Sequence, residues 1–137
     1  MKKCKIGIIG FGTVGTGIYK ILRSKVDSHP ILKEIEISKI AVQDIYKKRD
    51  IDFEDNLLID DPIKLINDPS IDVIVEVMGG INLAKEIILK SLKAGKSVVT
   101  ANKAVIARHG EEISNEAKAA GVYVLIEAAV GGGIPII

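Results

Sequence analysis

"IGIIGFGTVGTGIYKIL", residues Ile6 to Leu22, is an apolar run broken by glycine at Gly10, Gly12 and Gly15. Three arrangements produce such a run: bare backbone where a ligand must come very close, a tight turn between a buried strand and a helix, or the core of a secretion signal behind the basic start "MKKCK". A signal peptide wants a helix-forming apolar core and then a small-residue cleavage site. Here three spaced glycines interrupt the core and Tyr19, Lys20 and Arg23 follow it, so the segment belongs to the fold. No later stretch reaches the roughly 18 uninterrupted apolar residues of a membrane span. The nearest, Val122 to Ile137, carries Glu127. A soluble chain with no membrane partner is expected.

The 137 residues, 47% hydrophobic and 27% charged, suit one domain with a substantial core and are too few for two ordinary ones. A net charge of +1 without a face-sized basic block argues against a nucleic-acid partner, which needs clustered Lys and Arg. The short run Lys47, Lys48, Arg49 reads on its own as a solvated turn. The single cysteine, Cys4, cannot form an internal disulfide and reads as an inert thiol in a reducing cytoplasm. His29, before Pro30, and His109, at the expected start of a helix beside Gly110, have no partner at metal spacing and read as surface residues.

Around the opening stretch the pattern alternates. "KIGIIG" is a short apolar strand ending in glycine, buried on both faces. Val14, Ile18, Ile21 and Leu22 recur at helical spacing within a helix expected from Thr13 to Val26, with Gly17 as a helix-packing glycine. A second strand is expected from about Ile35 to Val42, followed by a polar connection to Asp60. Asp61 and Pro62 then cap and start a short helix. A third strand centres on Val73 to Val77. Leu83, Ala84, Ile87, Ile88 and Leu92 form one stripe of a helix closed by Gly95. "KSVVT" is a fourth strand, "HGEEISNEAKAAG" a helix, and "VYVLIEAAV" a fifth strand. Strand–helix alternation with crossover-length connections makes this an α/β fold, a Rossmann-like doubly wound parallel sheet with helices on both faces. Ligands of such sheets sit beyond the carboxyl ends of the strands, at the switch point.

The unusual residues fall there. Gly10, Gly12 and Gly15 form GxGxxG between the first strand and first helix, the context that makes the pattern a dinucleotide fingerprint. The first glycine permits the turn, the second lets a pyrophosphate approach the backbone, and the third lets helix and strand pack closely. Phe11 lies within the loop, and free amides at Thr13 and Val14 face the phosphates. After the second strand, Gln43 and Asp44 offer ribose-binding chemistry while Lys47, Lys48 and Arg49 offer a 2′-phosphate site, so NAD and NADP both remain open. After the third strand, Gly79 and Gly80 let a cofactor lie over bare backbone. After the fourth come Thr100, Ala101, Asn102 and Lys103, where the lysine would hang over the same crevice. An ammonium at Lys103 can polarise a carbonyl and relay a proton during hydride transfer.

"GIIGFGTVGTGI", "EVMGGINLAKEIILKSLKAGKSVVTANKAVIA" and "EAAVGGGIPII", in that order and spacing, resemble the N-terminal NAD(P)-binding domain of homoserine dehydrogenase over essentially the whole chain. The resemblance implies an oxidoreductase that interconverts aspartate 4-semialdehyde and homoserine with NAD(P)H, a step toward threonine and methionine. It assigns Gly10 to Gly15 to the phosphate turn and sets Gly79, Thr100 and Ala101 beside the cofactor. Lys103 matches a lysine thought to act near the hydride-transfer centre. The family's sodium ion is held partly by backbone carbonyls, and the matching positions are Glu127, Val130, Gly132 and Ile134. Main-chain oxygens suit a hard alkali cation.

Two departures from the family pattern matter. Members favouring NADP often carry arginine where this chain has Gln43, so Lys47, Lys48 and Arg49 would meet the extra phosphate alone; NADP is the preferred expectation. The family also continues into a substrate-binding and dimerising domain, which makes the complete enzyme a homodimer. Residues 1–137 are thus expected to be one dinucleotide-binding domain, an isolated or truncated piece that binds nucleotide without turning over substrate. The alternatives are a non-catalytic NAD(P)-binding module and another amino-acid or semialdehyde dehydrogenase.

Overall fold

The computed structural model describes residues 3–23, 30–49, 53–54 and 56–126. Along the chain run β1 (Cys4–Ile9), α1 (Thr13–Arg23), a 3-10 turn (Pro30–Glu34), β2 (Ile35–Ala41), β3 (Leu58–Ile59), α2 (Pro62–Ile66), β4 (Val73–Glu76), α3 (Asn82–Lys93), β5 (Ser97–Thr100), α4 (Lys103–Ala120) and β6 (Val124–Ile126). The six strands form one sheet in the order β3-β2-β1-β4-β5-β6, and every pairing is parallel. The chain starts in the middle, winds outward to β3, and returns to β4 beside β1. That reversal puts the switch point between β1 and β4, in a parallel, doubly wound sheet as the strand–helix alternation predicts.

Two apolar clusters show why both faces are covered. Side chains alternate across a strand, so Ile8, Ile40 and Val75 point to one face while Ile9, Ala41 and Ile74 point to the other. The first face packs against Tyr19 and Leu22 of α1. The second packs against Leu65 of α2, Ile87, Ile88 and Leu92 of α3, and Val105, Ile113 and Ala117 of α4. Among the described residues, no helix is long and apolar enough to cross a membrane.

Several local expectations shift. The two-residue β3 lies inside what reads as polar connection; its backbone is held by Ile40 N–H to Leu57 O (2.9 Å) and Val42 N–H to Ile59 O (2.8 Å). The buried stripe of α1 is Gly15, Tyr19 and Leu22, whereas Val14 and Ile21 are exposed. Gly17 is no packing glycine: a β-carbon there would meet nothing within 4 Å. The last helix begins at Lys103 rather than His109, where it is only kinked (φ −127, ψ 16). Asp61 caps α2 as expected, accepting the Ile63 amide at 3.0 Å, and Gly95 turns the chain out of α3 with φ +81. β6 covers the middle of the expected last strand. Residues 127–137 lie outside the described residues, as do residues 24–26 of the expected first helix and His29.

Lys96 is buried and donates to Asp68 O at 2.6 Å and Ile71 O at 2.7 Å. A cation out of water needs such partners. These bonds tie the start of β5 to the loop before β4, at the end of the sheet remote from the switch point, so the lysine ahead of "SVVT" serves architecture. Cys4 is half-buried; burial, reinforced by Asp72, pushes its thiol above the ordinary value. A protonated thiol is a poor nucleophile.

Candidate nucleotide-binding site

Each glycine of the opening loop has its own physical reason. Gly10 leaves β1 with φ +111, and its N–H donates to Ala41 O at 2.9 Å. A β-carbon there would lie 3.0 Å from the Val77 backbone. Gly15 is the tightest point: a β-carbon would stand 2.4 Å from Gly10 O. Gly12 differs from both, because a β-carbon there would meet nothing within 4 Å. Among the described residues, no protein packing accounts for the glycine at that position. The first turn of α1 closes with Thr16 N–H to Gly12 O at 2.9 Å, so the amides of Thr13, Val14 and Gly15 have no intrahelical partner. Thr13 and Val14 are exposed, and free amides at a helix start favour an anion.

A cleft of about 480 Å³ opens beside this loop. Gly10, Phe11 and Gly12 line it from the loop after β1, Asp44, Lys47 and Arg49 from the loop after β2, and Met78 and Gly79 from the loop after β4. The structure thus brings together Gly10, Phe11, Gly12, Gln43, Asp44, Lys47, Arg49 and Gly79 of the expected residues. The length of chain between Gly12 and Asp44 is absorbed by α1 and β2.

The loop after β2 is ordered by its own bonds. Asp44 Oδ1 accepts the Tyr46 amide at 2.9 Å. Arg49 donates to Asp44 O at 3.0 Å and Lys47 O at 2.9 Å. Its guanidinium lies 5.7 Å from the centroid of the Phe11 ring, a cation–π placement. Phe11 in turn meets Tyr19 and Phe53 edge-on at 5.8 and 6.1 Å. Arg49 therefore belongs to the cleft. The charge run alone reads as a solvated turn; two carbonyls and the aromatic ring beneath it fix the position of Arg49.

The other expected residues stand outside the cleft lining. Thr100 is fully buried, its hydroxyl engaged within the protein, and Ala101 is half-buried with its N–H donating to Glu76 O at 3.2 Å. Lys103 is exposed as the first residue of α4. Asn102 caps that helix, its Oδ1 accepting the Val105 amide at 3.1 Å. Glu127, Val130, Gly132 and Ile134 lie outside the described residues. Among the described residues, no group of three or more His, Cys, Asp or Glu is placed to hold a metal.

Comparison with known proteins agrees with this geometry. The family described as homoserine dehydrogenase, NAD binding domain, matches residues 10–127. A homoserine dehydrogenase of Synechocystis sp. is 47% identical over 97% of this chain and 31% of its own length. That of Bacillus subtilis is 40% identical over 100% of this chain and 32% of its own. The crystal structure of S. aureus homoserine dehydrogenase at pH 7.5 superposes with a TM-score of 0.83 at 37% identity, over 96% of this chain and 33% of that one. The chain thus spans about a third of the length of the relatives it matches. With its parallel sheet, its bare Gly12 and its matched residues 10–127, the chain belongs to the homoserine dehydrogenase family as an NAD(P)-binding Rossmann domain.

Proposed function

We propose that the chain is the nucleotide-binding part of an enzyme that interconverts aspartate 4-semialdehyde and homoserine, with NADP(H) as the favoured nucleotide. The bound cofactor supplies or accepts the hydride. The observation that carries the reading is Gly12, bare toward open space and followed by three amides without intrahelical partners. Those amides would hold the pyrophosphate, and the Asp44 loop would receive the adenine ribose. Lys103, at the start of α4 beyond β5, would polarise the substrate carbonyl and move a proton to or from its oxygen. Residues 1–137 form the dinucleotide-binding domain, and the substrate-binding groups belong to a further domain of the complete enzyme, a cytoplasmic homodimer. The sodium ion expected at Glu127, Val130, Gly132 and Ile134 has its ligands outside the described residues. No step here passes through it.

Preference for NADP rests on Arg49 and Lys47, both lining the cleft, with Arg49 fixed by two carbonyls and the Phe11 ring. A guanidinium held in place suits a phosphate. Titration calorimetry should show NADPH binding more tightly than NADH, and Arg49→Ala should lower NADPH affinity about tenfold, roughly 1.4 kcal/mol, with little effect on NADH. Equal losses for both nucleotides would remove Arg49 from 2′-phosphate recognition.

A further inference from the structure

Glu76, the last residue of β4, is fully buried between β1 and β5. The corresponding last residues of β1 and β2 are apolar, Ile9 and Ala41, and both are buried. An apolar side chain in the same place is commonly at least as stabilising as a buried charged group. The carboxyl therefore calls for a reason other than core stability. Burial pushes its pKa up, and the bonds it accepts work in the opposite direction.

Those bonds define what Glu76 does. Oε2 accepts the Met78 amide at 2.9 Å. Oε1 accepts the hydroxyl of Thr100 at 2.6 Å, and Thr100, the last residue of β5, pairs directly with Glu76 in the sheet. The Thr100 oxygen in turn accepts the Asn102 amide at 3.0 Å. Asn102 also donates from Nδ2 to Gly80 O at 2.5 Å, while Gly80 holds φ +89. One carboxyl thus fixes two chain segments as they leave the sheet. The first leads through Met78 to the Gly79–Gly80 turn, and the second leads through Asn102 to Lys103.

In a doubly wound sheet the two halves share the dinucleotide across the switch point. The loops after β1 and β2 carry the pyrophosphate and adenosine side, which leaves the loops after β4 and β5 for the nicotinamide side. We propose that Glu76 is a positioning residue for the nicotinamide half of the site, setting through Thr100 the separation between the Gly79–Gly80 turn and the Asn102–Lys103 helix start. The inference rests on the crevice binding a dinucleotide, as proposed above. Glu76 and Thr100 are both fully buried; they act through the backbone that they hold.

The test compares two ligands on the 137-residue chain: NADPH, and 2′,5′-ADP, which lacks the nicotinamide half. Thr100→Val keeps the shape of the side chain and removes the hydroxyl, Thr100→Ser keeps the hydroxyl, and Glu76→Gln replaces one acceptor oxygen by a donor. Thr100→Val and Glu76→Gln should each weaken NADPH about tenfold, the size of losing one or two positioned bonds, with 2′,5′-ADP affinity unchanged. Thr100→Ser should restore NADPH binding, and the double variant should be no weaker than the worse single one, because both changes break one chain of bonds. Equal weakening of both ligands, or NADPH affinity unmoved by Thr100→Val, would overturn the proposal. If Glu76→Gln fails to fold, the contrast between Thr100→Val and Thr100→Ser decides alone. A wild-type chain that binds neither ligand would instead overturn the dinucleotide reading, and the inference with it.

Discussion

Gly12→Val is expected to leave the melting temperature within about 2 °C of the unchanged chain while lowering nucleotide affinity at least a hundredfold, roughly 2.7 kcal/mol. The fold should tolerate the substitution because a β-carbon at Gly12 meets no atom of the described residues within 4 Å. Its φ is not in the left-handed region, so a branched side chain adds no backbone strain of that kind. The same empty space is where a pyrophosphate would press against the amides that start α1. Two isopropyl methyls placed there would hold the phosphates away from the loop. Melting curves with and without saturating NADPH separate the effects: the unchanged chain should be stabilised by nucleotide, and the variant should not. A variant that still gains stability from NADPH would show that Gly12 is not the point of approach.

Gly15→Ala, three residues along the same motif, should do the reverse and damage the fold before ligand enters the question. Its β-carbon would stand 2.4 Å from Gly10 O and 3.3 Å from Val77 Cγ2. The carbonyl cannot swing away cheaply, since Gly10 is itself held by its bond to Ala41 and backed against the Val77 backbone. Either α1 must lift from β1 or the loop must distort. Overpacking of this kind costs about 3 kcal/mol, which for a chain of this size lowers the melting temperature by roughly 10 °C. Thermal unfolding without ligand measures it directly. An unchanged melting temperature would mean that the close approach of helix and strand is not a constraint. One added methyl group should therefore be more harmful to stability at Gly15 than a whole isopropyl group at Gly12.

The sheet was legible because five apolar runs, each bounded by glycine or polar turns, alternate with helical stripes. β3 was not, because Leu58 and Ile59 are too short a run to show a period; only pairing with β2 makes them a strand. The facing of α1 was misread for a different reason. Counting apolar positions favours Val14 and Ile21, yet the helix is oriented by the contact at Gly15, and that turns Tyr19 and Leu22 inward. The start of α4 was hidden because Asn102 caps a turn that follows the strand with no intervening loop.

Within the site, the glycine loop could be read in advance because its chemistry is backbone chemistry at a fixed spacing. Asp44 and Lys47 could be placed by their position after a strand, and the structure sets them in the cleft with Gly12. Glu76 escaped because a charged residue inside "VIVEVMGG" carries no sign of the Thr100 hydroxyl that meets it from the next strand. Its one signal is an acid ending an otherwise apolar strand, where β1 and β2 end in Ile9 and Ala41. Thr100 is beside the crevice in sequence, but its side chain is buried beneath it.

The central claim is that main-chain amides at the start of α1 grip the diphosphate of a nicotinamide nucleotide. The most direct measurement is an amide ¹⁵N–¹H spectrum of the labelled 137-residue chain, titrated with NADPH. The account predicts saturable, one-to-one shifts that are largest for Gly12, Thr13 and Val14. Saturable binding that leaves those three amides unmoved, or no binding at millimolar NADPH, would contradict it.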